Sequence, residues 1–276
     1  MKQVLILVNP EKPGAREASE RLCPFIGGRL KVHAMDLADK PIETEADLVV
    51  VLGGDGSILK AAHMLAGREV PVVGINMGKL GYLAEFTADE FCGKFDDIIS
   101  GRVPVSRRLM LEARCEMADG TVRVFPVLND VLVAGGIAHR MVGVAAGIDG
   151  EAVTTYFGDG VLVSTPTGST AYCLAAGGPI LAPRLEAMVL VPICPHSLTH
   201  RPIMLRPDSE VVLEPCGFQK EAKCVVDGQE TVRLVPGDRV RIRRSKSSFL
   251  LVHNGDRPTF ATLREKLHWG HTAKYG

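Results

Sequence analysis

Apolar residues along this chain come in short runs closed by turn chemistry, and the spacing between runs changes partway. Residues 4–8 form an apolar run stopped by Asn9-Pro10, which predicts a buried strand. Residues 15–25 set Ala18, Leu22 and Phe25 on one helical face, and residues 31–35 predict a short strand. Residues 47–52 predict the next strand, followed by a glycine turn and a helix over 57–66, capped by Ser57. That helix turns Ile58, Ala61, Ala62 and Leu65 inward. Residues 70–75 predict another buried strand despite Pro71. Strands alternating with helices imply βαβ units on a parallel sheet.

After Arg102-Val103-Pro104 the texture changes. Short strands are expected over 109–115, 122–125, 127–133, 142–148, 160–164, 210–213, 224–226 and 239–242. Asp119-Gly120, Asp149-Gly150 and Pro236-Gly237-Asp238 punctuate them as turns. Helical character returns only over 170–176 and 184–188, and over a tail, 260–269, where Phe260, Leu263 and Leu267 share a face. The expected plan is an α/β domain over 1–104 and a mostly β domain over 105–255. The tail, 256–276, should pack back on the first domain.

Composition narrows the function classes. With 32 basic and 32 acidic residues among 276, the formal charge is zero, so no global attraction to nucleic acid or anionic membrane is expected. The seven cysteines contain no C-x-x-C pair, which argues against a zinc ribbon and for small, reduced core residues. The start of the chain lacks signal-peptide features, and no apolar run approaches the ~20 residues needed to span a bilayer. A cytoplasmic protein is expected.

Familiar phosphate signatures are absent. Gly78-Lys79 is followed by Leu80, with Val73 where a P-loop needs its first glycine, and no G-x-G-x-x-G follows a strand. There is no H-E-x-x-H and no G-x-S-x-G, and His196 and His200 lie among prolines rather than on a clear helix. Three glycine-rich elements take their place. Val49 to Leu52 lead into Gly53-Gly54-Asp55-Gly56-Ser57, where a parallel strand ends and ligands of open α/β sheets bind. Gly53, Gly54, Gly56 and Ser57 suit phosphate through backbone N–H groups and a helix N-terminus. A carboxylate repels phosphate, so Asp55 should face a ribose hydroxyl or a metal ion.

Gly74-Ile75-Asn76-Met77-Gly78-Lys79-Leu80-Gly81-Tyr82 is the second element. It should neighbour the first, with Asn76 able to hydrogen-bond a ligand and Tyr82 to stack on a base. The third runs from Gly158-Asp159-Gly160 through Ser164-Thr165-Pro166-Thr167-Gly168-Ser169-Thr170-Ala171-Tyr172, a small-hydroxyl loop whose density suits a polyol or pyrophosphate. Ser169 or Thr170 should cap the helix after it. Asn129-Asp130, two polar residues in an apolar run, must be paired or face a ligand, because unpaired burial is costly.

Together these segments resemble the ATP-dependent NAD kinase family over nearly the whole chain. The resemblance rests on Leu7-Val8-Asn9-Pro10, Gly53 to Ser57, Gly74-Ile75-Asn76, Leu128-Asn129-Asp130 and Gly158 to Tyr172. Ala176-Gly177-Gly178-Pro179, Pro192 to Leu198 and Asp227-Gly228-Gln229 add to it. It implies a Rossmann-like, phosphofructokinase-like first domain and a β-rich NAD-binding domain. It also implies transfer of the ATP γ-phosphoryl group to the adenosine 2′-hydroxyl of NAD, with Mg²⁺ accompanying ATP. Asp55 would take the hydroxyl proton, with Gly56 beside it. Asn129, Thr170 and Ala171 would hold the adenine, and Tyr82 and Tyr172 would flank it. Asp130 would hold ribose hydroxyls, while Asp159, Ala175 and Gln229 would line other parts of the dinucleotide, in a homodimer or homotetramer. Two positions depart from the pattern: Asp130 replaces a common Glu, and Phe157 stands where a cation is common. The glycine-Asp turn alone is shared with lipid kinases of the diacylglycerol and sphingoid type. A catalytically silent NADP(H) sensor is a further alternative, opposed by the cost of leaving a carboxylate unpaired beside pyrophosphate.

Overall fold

A central strand built only of buried residues organises the first part of the chain. The computed structural model describes residues 1–38, 40–78, 81–136, 141–217, 221–258 and 260–267. They divide into two compact units, one of Met1–Met64, Val70–Ser106 and the chain from Leu250, the other of Leu65–Glu69 and Arg107–Phe249.

In the first unit the order is β1 (Gln3–Val8), α1 (Ala15–Gly27), β2 (Lys31–Asp36), β3 (Leu48–Gly53), α2 (Asp55–Leu65), β4 (Val72–Asn76) and α3 (Ala88–Ile99). β5 (Val105–Arg108) follows as an edge strand. β2, β1, β3 and β4 lie side by side and parallel. β3 is buried at every position, as expected for a strand covered on both faces. Leu22 and Ile26 of α1 and Phe91, Phe95 and Ile98 of α3 join Val4, Ile6, Val50 and Leu52 in one core. α3 was not anticipated, although its start carries a readable signal. The Thr87 side chain accepts from the Glu90 N–H and the Glu90 carboxylate accepts from the Thr87 N–H, a capping box.

The second unit is a sandwich of antiparallel strands. In chain order it contains β6 (Leu111–Glu116), β7 (Val122–Val127), β8 (Asp130–Gly135), β9 (Val142–Ile148), β10 (Glu151–Gly158) and β11 (Gly160–Ser164). A single 3-10 turn (Gly168–Thr170) and α4 (Tyr172–Ala175) follow. Then come β12 (Met188–Ile193), β13 (Ile203–Leu205), β14 (Val211–Cys216), β15 (Ala222–Val226), β16 (Glu230–Leu234) and β17 (Arg239–Arg244). One sheet has the order β10-β9-β14-β17-β6-β7, the other β13-β12-β11-β8-β15-β16. Alternating positions of β6 and β14 enter the core between them, where Leu111, Cys115 and Leu213 meet Val131, Val163 and Leu190. β18 (Phe249–Val252) then joins the first sheet beside β4, and α5 (Ala261–Leu267) ends the described chain with Leu263 buried. Trp269 lies outside the described residues.

Several expectations are corrected. The apolar run 127–133 is not one strand: β7 ends at Val127, and β8 begins at Asp130 in the other sheet. Residues 184–188 contain no helix; Met188 opens β12. The helix over 170–176 is split between the 3-10 turn and α4, and neither Ser169 nor Thr170 caps it. β5, β10, β12, β13, β16 and β18 were missed: burial hides the period in β12 and β18, weak alternation hides it in β10 and β13, and the inward positions of β5 are polar, whereas β16 alternates and carried a readable signal. Of the seven free cysteines only Cys115, Cys173 and Cys224 are buried, and Cys194 is exposed. His200 packs edge-on against Tyr156, with ring centroids 4.8 Å apart. Among the described residues, no helix is long and apolar enough to cross a membrane.

Gly74 marks where β4 meets both α2 and the loop after it. A Cβ there would overlap the end of Ile58 and stand 2.8 Å from the Ala84 Cα. The Ile58 side chain can swing, but the Ala84 backbone cannot. Gly74→Ala should therefore destabilise the protein by about 1–3 kcal/mol, read as a lowered thermal midpoint. An unchanged midpoint would contradict this packing.

Candidate functional site

Each unit, taken by itself, carries a candidate binding element, and each element is built on an aspartate that gathers three consecutive backbone N–H groups. In the first unit β3 ends at Gly53, paired with Asn76 at the end of β4, so the two glycine-rich loops are neighbours as expected. The Met77 N–H donates to the Gly53 carbonyl at 2.8 Å. A side chain at Gly53 would overlap Ser57, whereas one at Gly54 or Gly56 would meet nothing within 4 Å.

Ser57 does not cap the helix, because α2 already begins at Asp55. Its buried hydroxyl accepts from the Gly54 N–H at 3.3 Å and from Asn9 Nδ2 at 2.8 Å, tying the ends of β1 and β3 together. Of the four residues proposed for phosphate, Gly53, Ser57 and the N–H of Gly54 are thus engaged inside the fold. Gly54 and Gly56 have open surroundings at the positive end of the α2 dipole.

Asp55 is half-buried, and its carboxylate is not free. Oδ2 accepts from the Tyr82 N–H at 2.7 Å, and Oδ1 accepts from Leu83 and Ala84 at 2.9 and 3.1 Å. The loop approaches so closely that a Cβ at Gly81 would overlap the carboxylate. The expectation of an unpaired acid is therefore overturned: Asp55 has a structural task whether or not it does chemistry. The Tyr82 hydroxyl is pushed up in pKa by burial and, secondarily, by the Asp55 charge. On the far side of the same loop, buried Glu85 accepts from the Asn254 N–H at 2.9 Å and pairs with His253 Nδ1 at 2.6 Å.

The second unit repeats the device. Asp227 Oδ2 accepts from the Leu128 N–H at 2.8 Å, and Oδ1 accepts from Asn129 and Asp130 at 2.7 and 2.9 Å. This bond set holds the chain where it crosses from β7 to β8. Asp227 was not among the residues expected to act, because its partners lie 97 to 99 positions away and spacing carries no trace of them.

The small-hydroxyl loop docks on the same crossing. The Thr165 N–H donates to the Asn129 carbonyl at 2.9 Å, and its hydroxyl donates to the Leu128 carbonyl at 2.6 Å. Ser169 Oγ donates to the Pro166 carbonyl at 2.7 Å and accepts from the Leu181 N–H at 2.9 Å. Much of that hydroxyl density therefore serves the loop itself. Thr167 Oγ1 is buried without a hydrogen-bond partner among the described residues.

Half-exposed Asn129 and Thr170, exposed Ala171, Tyr172, Ala175 and Gln229, and buried Asp130 collect around this end of the sheet, where Asp130 pairs with Ser164. Asp159 does not join them. It precedes β11 at the opposite end, with its N–H on the Ile193 carbonyl at 3.0 Å, and is roughly 16 Å from Ser164 at strand spacing. Exposed Phe157 lies at that far end, its ring against Gly143.

Burial, and secondarily the Asp227 charge, raises the Asp130 carboxyl to about 7. The folded chain therefore binds this proton more tightly than the unfolded chain does. The group costs no stability below the unfolded value of 3.8, and the cost grows as pH rises toward about 7. Asp130→Asn removes the titration. The variant's thermal midpoint should gain on the wild type from about pH 4 to about pH 8; parallel curves would contradict it.

Among the described residues no cluster of three or more His, Cys, Asp or Glu forms a metal cage.

Comparison with known proteins agrees with this architecture. Residues 31–103 match the ATP-NAD kinase N-terminal domain and residues 128–254 the ATP-NAD kinase C-terminal domain. An NAD kinase of Cupriavidus pinatubonensis is 43% identical over 233 residues, covering 84% of this chain and 76% of that protein. One from Geobacter metallireducens is 40% identical over 252 residues, covering 91% and 89%. The crystal structure of yeast NADH kinase complexed with NADH superposes with a TM-score of 0.91 at 27% identity, covering 100% of this chain and 90% of that one. An NAD kinase from Archaeoglobus fulgidus in complex with ATP gives 0.79 at 25% identity, covering 97% and 99%. The chain belongs to the NAD kinase family.

Proposed function

We propose that this protein transfers the γ-phosphoryl group of ATP to the adenosine 2′-hydroxyl of NAD, giving NADP and ADP. The observation that carries the reading is the geometry of Asp55. A carboxylate offers about four acceptor positions, and the loop N–H groups use three, two on Oδ1 and one on Oδ2. One position on Oδ2 remains for a substrate hydroxyl. As the 2′-oxygen bonds to the γ-phosphorus, its proton passes to Asp55, and the bond from that phosphorus to the bridging oxygen breaks to release ADP. The acid cannot drift, so the hydroxyl it receives is oriented as well as deprotonated. Gly56, exposed at the start of α2, faces phosphate oxygens, and Gly54 gives them room to approach while its own N–H is held by Ser57, with Mg²⁺ arriving on ATP and offsetting their charge.

Asn129, Thr170 and Ala171 hold the adenine, Tyr82 and Tyr172 flank it, and Asp130 takes a ribose hydroxyl. Ala175 and Gln229 line the remaining dinucleotide. Asp159 stands apart from them within one chain, which supports its serving the site of a second copy in a homodimer or homotetramer. Phe157 supplies no cation there. Free thiols support the cytoplasm as its compartment.

The test is purified protein with ATP, Mg²⁺ and NAD, with NADP detected by a dehydrogenase that ignores NAD. Asp55→Asn keeps a carbonyl oxygen for Leu83 and Ala84 at the cost of the Tyr82 bond. It should lower turnover by about 10²–10⁴-fold while NAD still binds. Turnover near wild type in that variant would refute the role of Asp55.

A further inference from the structure

The tail helix brings a cation to the loop that Asp55 holds. Lys266, in the last turn of α5, sets its ammonium 5.4 Å from the centroid of the Tyr82 ring. Tyr82 is the same residue whose N–H donates to Asp55 at 2.7 Å, so the acid, the ring and the ammonium form one connected group within the first unit.

The attachment of α5 to that unit is built, not incidental. Leu263 is buried, Arg257 pairs with Glu90 at 2.9 Å, and Lys94 pairs with Asp256 at 2.6 Å. The preceding residues His253 and Asn254 bind Glu85, which follows the clamped loop directly. The chain that carries Lys266 is therefore anchored both to α3 and to the loop that carries Tyr82. The lysine is exposed, and the face of the Tyr82 ring is what its ammonium meets.

We propose that Lys266 is a positioning residue for nucleotide binding: its ammonium covers one face of the Tyr82 ring and presents the opposite face to a purine base. The inference rests on the reading of Tyr82 as part of the NAD site. A ring free on both faces would rotate about its side-chain bonds and lose that freedom on stacking. A ring already held by a cation loses less, and the gain shows in substrate affinity rather than in the chemical step. The cation also attracts electron density of the ring, which a guanidinium does equally well and a neutral side chain does not.

The test uses the full-length protein and four variants: Lys266→Met, Lys266→Arg, Tyr82→Leu and the Lys266→Met/Tyr82→Leu double variant. Lys266→Met should raise the KM for NAD by about two- to fivefold, with kcat and thermal midpoint unchanged. Lys266→Arg should restore the wild-type KM. In the Tyr82→Leu background Lys266→Met should have no further effect, because the ring through which it acts is gone. The inference is overturned if Lys266→Met leaves KM unaltered or lowers kcat instead. It is equally overturned if arginine does not rescue, or if the effect persists without the tyrosine ring. These failures require an active wild type; a wild type that forms no NADP overturns the functional reading itself and the inference with it.

Discussion

A carboxylate receiving three successive backbone N–H groups is the interaction on which the candidate element of each unit depends. Asp55 gathers residues 82 to 84 and Asp227 gathers residues 128 to 130. Each bond to an ionised acceptor is worth about 1.5–3 kcal/mol, against about 1 for a neutral pair. Apart from Asp130, which opens β8, these residues lie outside helices and strands, so without the acid their donors would need water. The acid converts a stretch of chain with no intrinsic preference into one fixed shape.

That constraint explains features that look unrelated in the sequence. Gly81 is required because the loop lies against the Asp55 carboxylate, and Gly74 because the same loop passes over β4 at Ala84. The polar pair Asn129-Asp130 interrupts an apolar run because the chain changes sheets there, and Asp227 supplies the partners that make the crossing affordable. The hydroxyls of Thr165 and Ser169 then fasten the third loop to that crossing and to itself. Rigidity of this kind suits phosphoryl transfer, in which placement and fixed dipoles contribute more than covalent chemistry.

Much of this fold was legible. The βαβ alternation, the neighbouring glycine loops and the change to a β-rich unit follow from periodicity and turn residues, and β1, α1, β3, β9 and β11 lie where the pattern puts them. The motif residues were legible as a set. Their division of labour was not, because it depends on contacts between distant positions. Asp55 reads as a free acid until the 82–84 loop is seen closing on it. Ser57 reads as a cap until Asn9 is seen bonded to it. Asp159 reads as lining the dinucleotide with Ala175 and Gln229, yet β11, itself expected, sets it at the opposite end of the sheet. α3 is a different case: Thr87 and Glu90 announce its start locally, so its signal lay in the sequence.

The claim that two aspartates hold two backbone trios is tested most directly by residue-resolved amide hydrogen exchange on the wild-type protein and on Asp55→Ala. In the wild type the amides of 82–84 and 128–130 should exchange slowly, like those of the adjoining strands. In the variant only the first trio should be released. Exchange of both trios at the rate of open loops in the wild type would contradict the account.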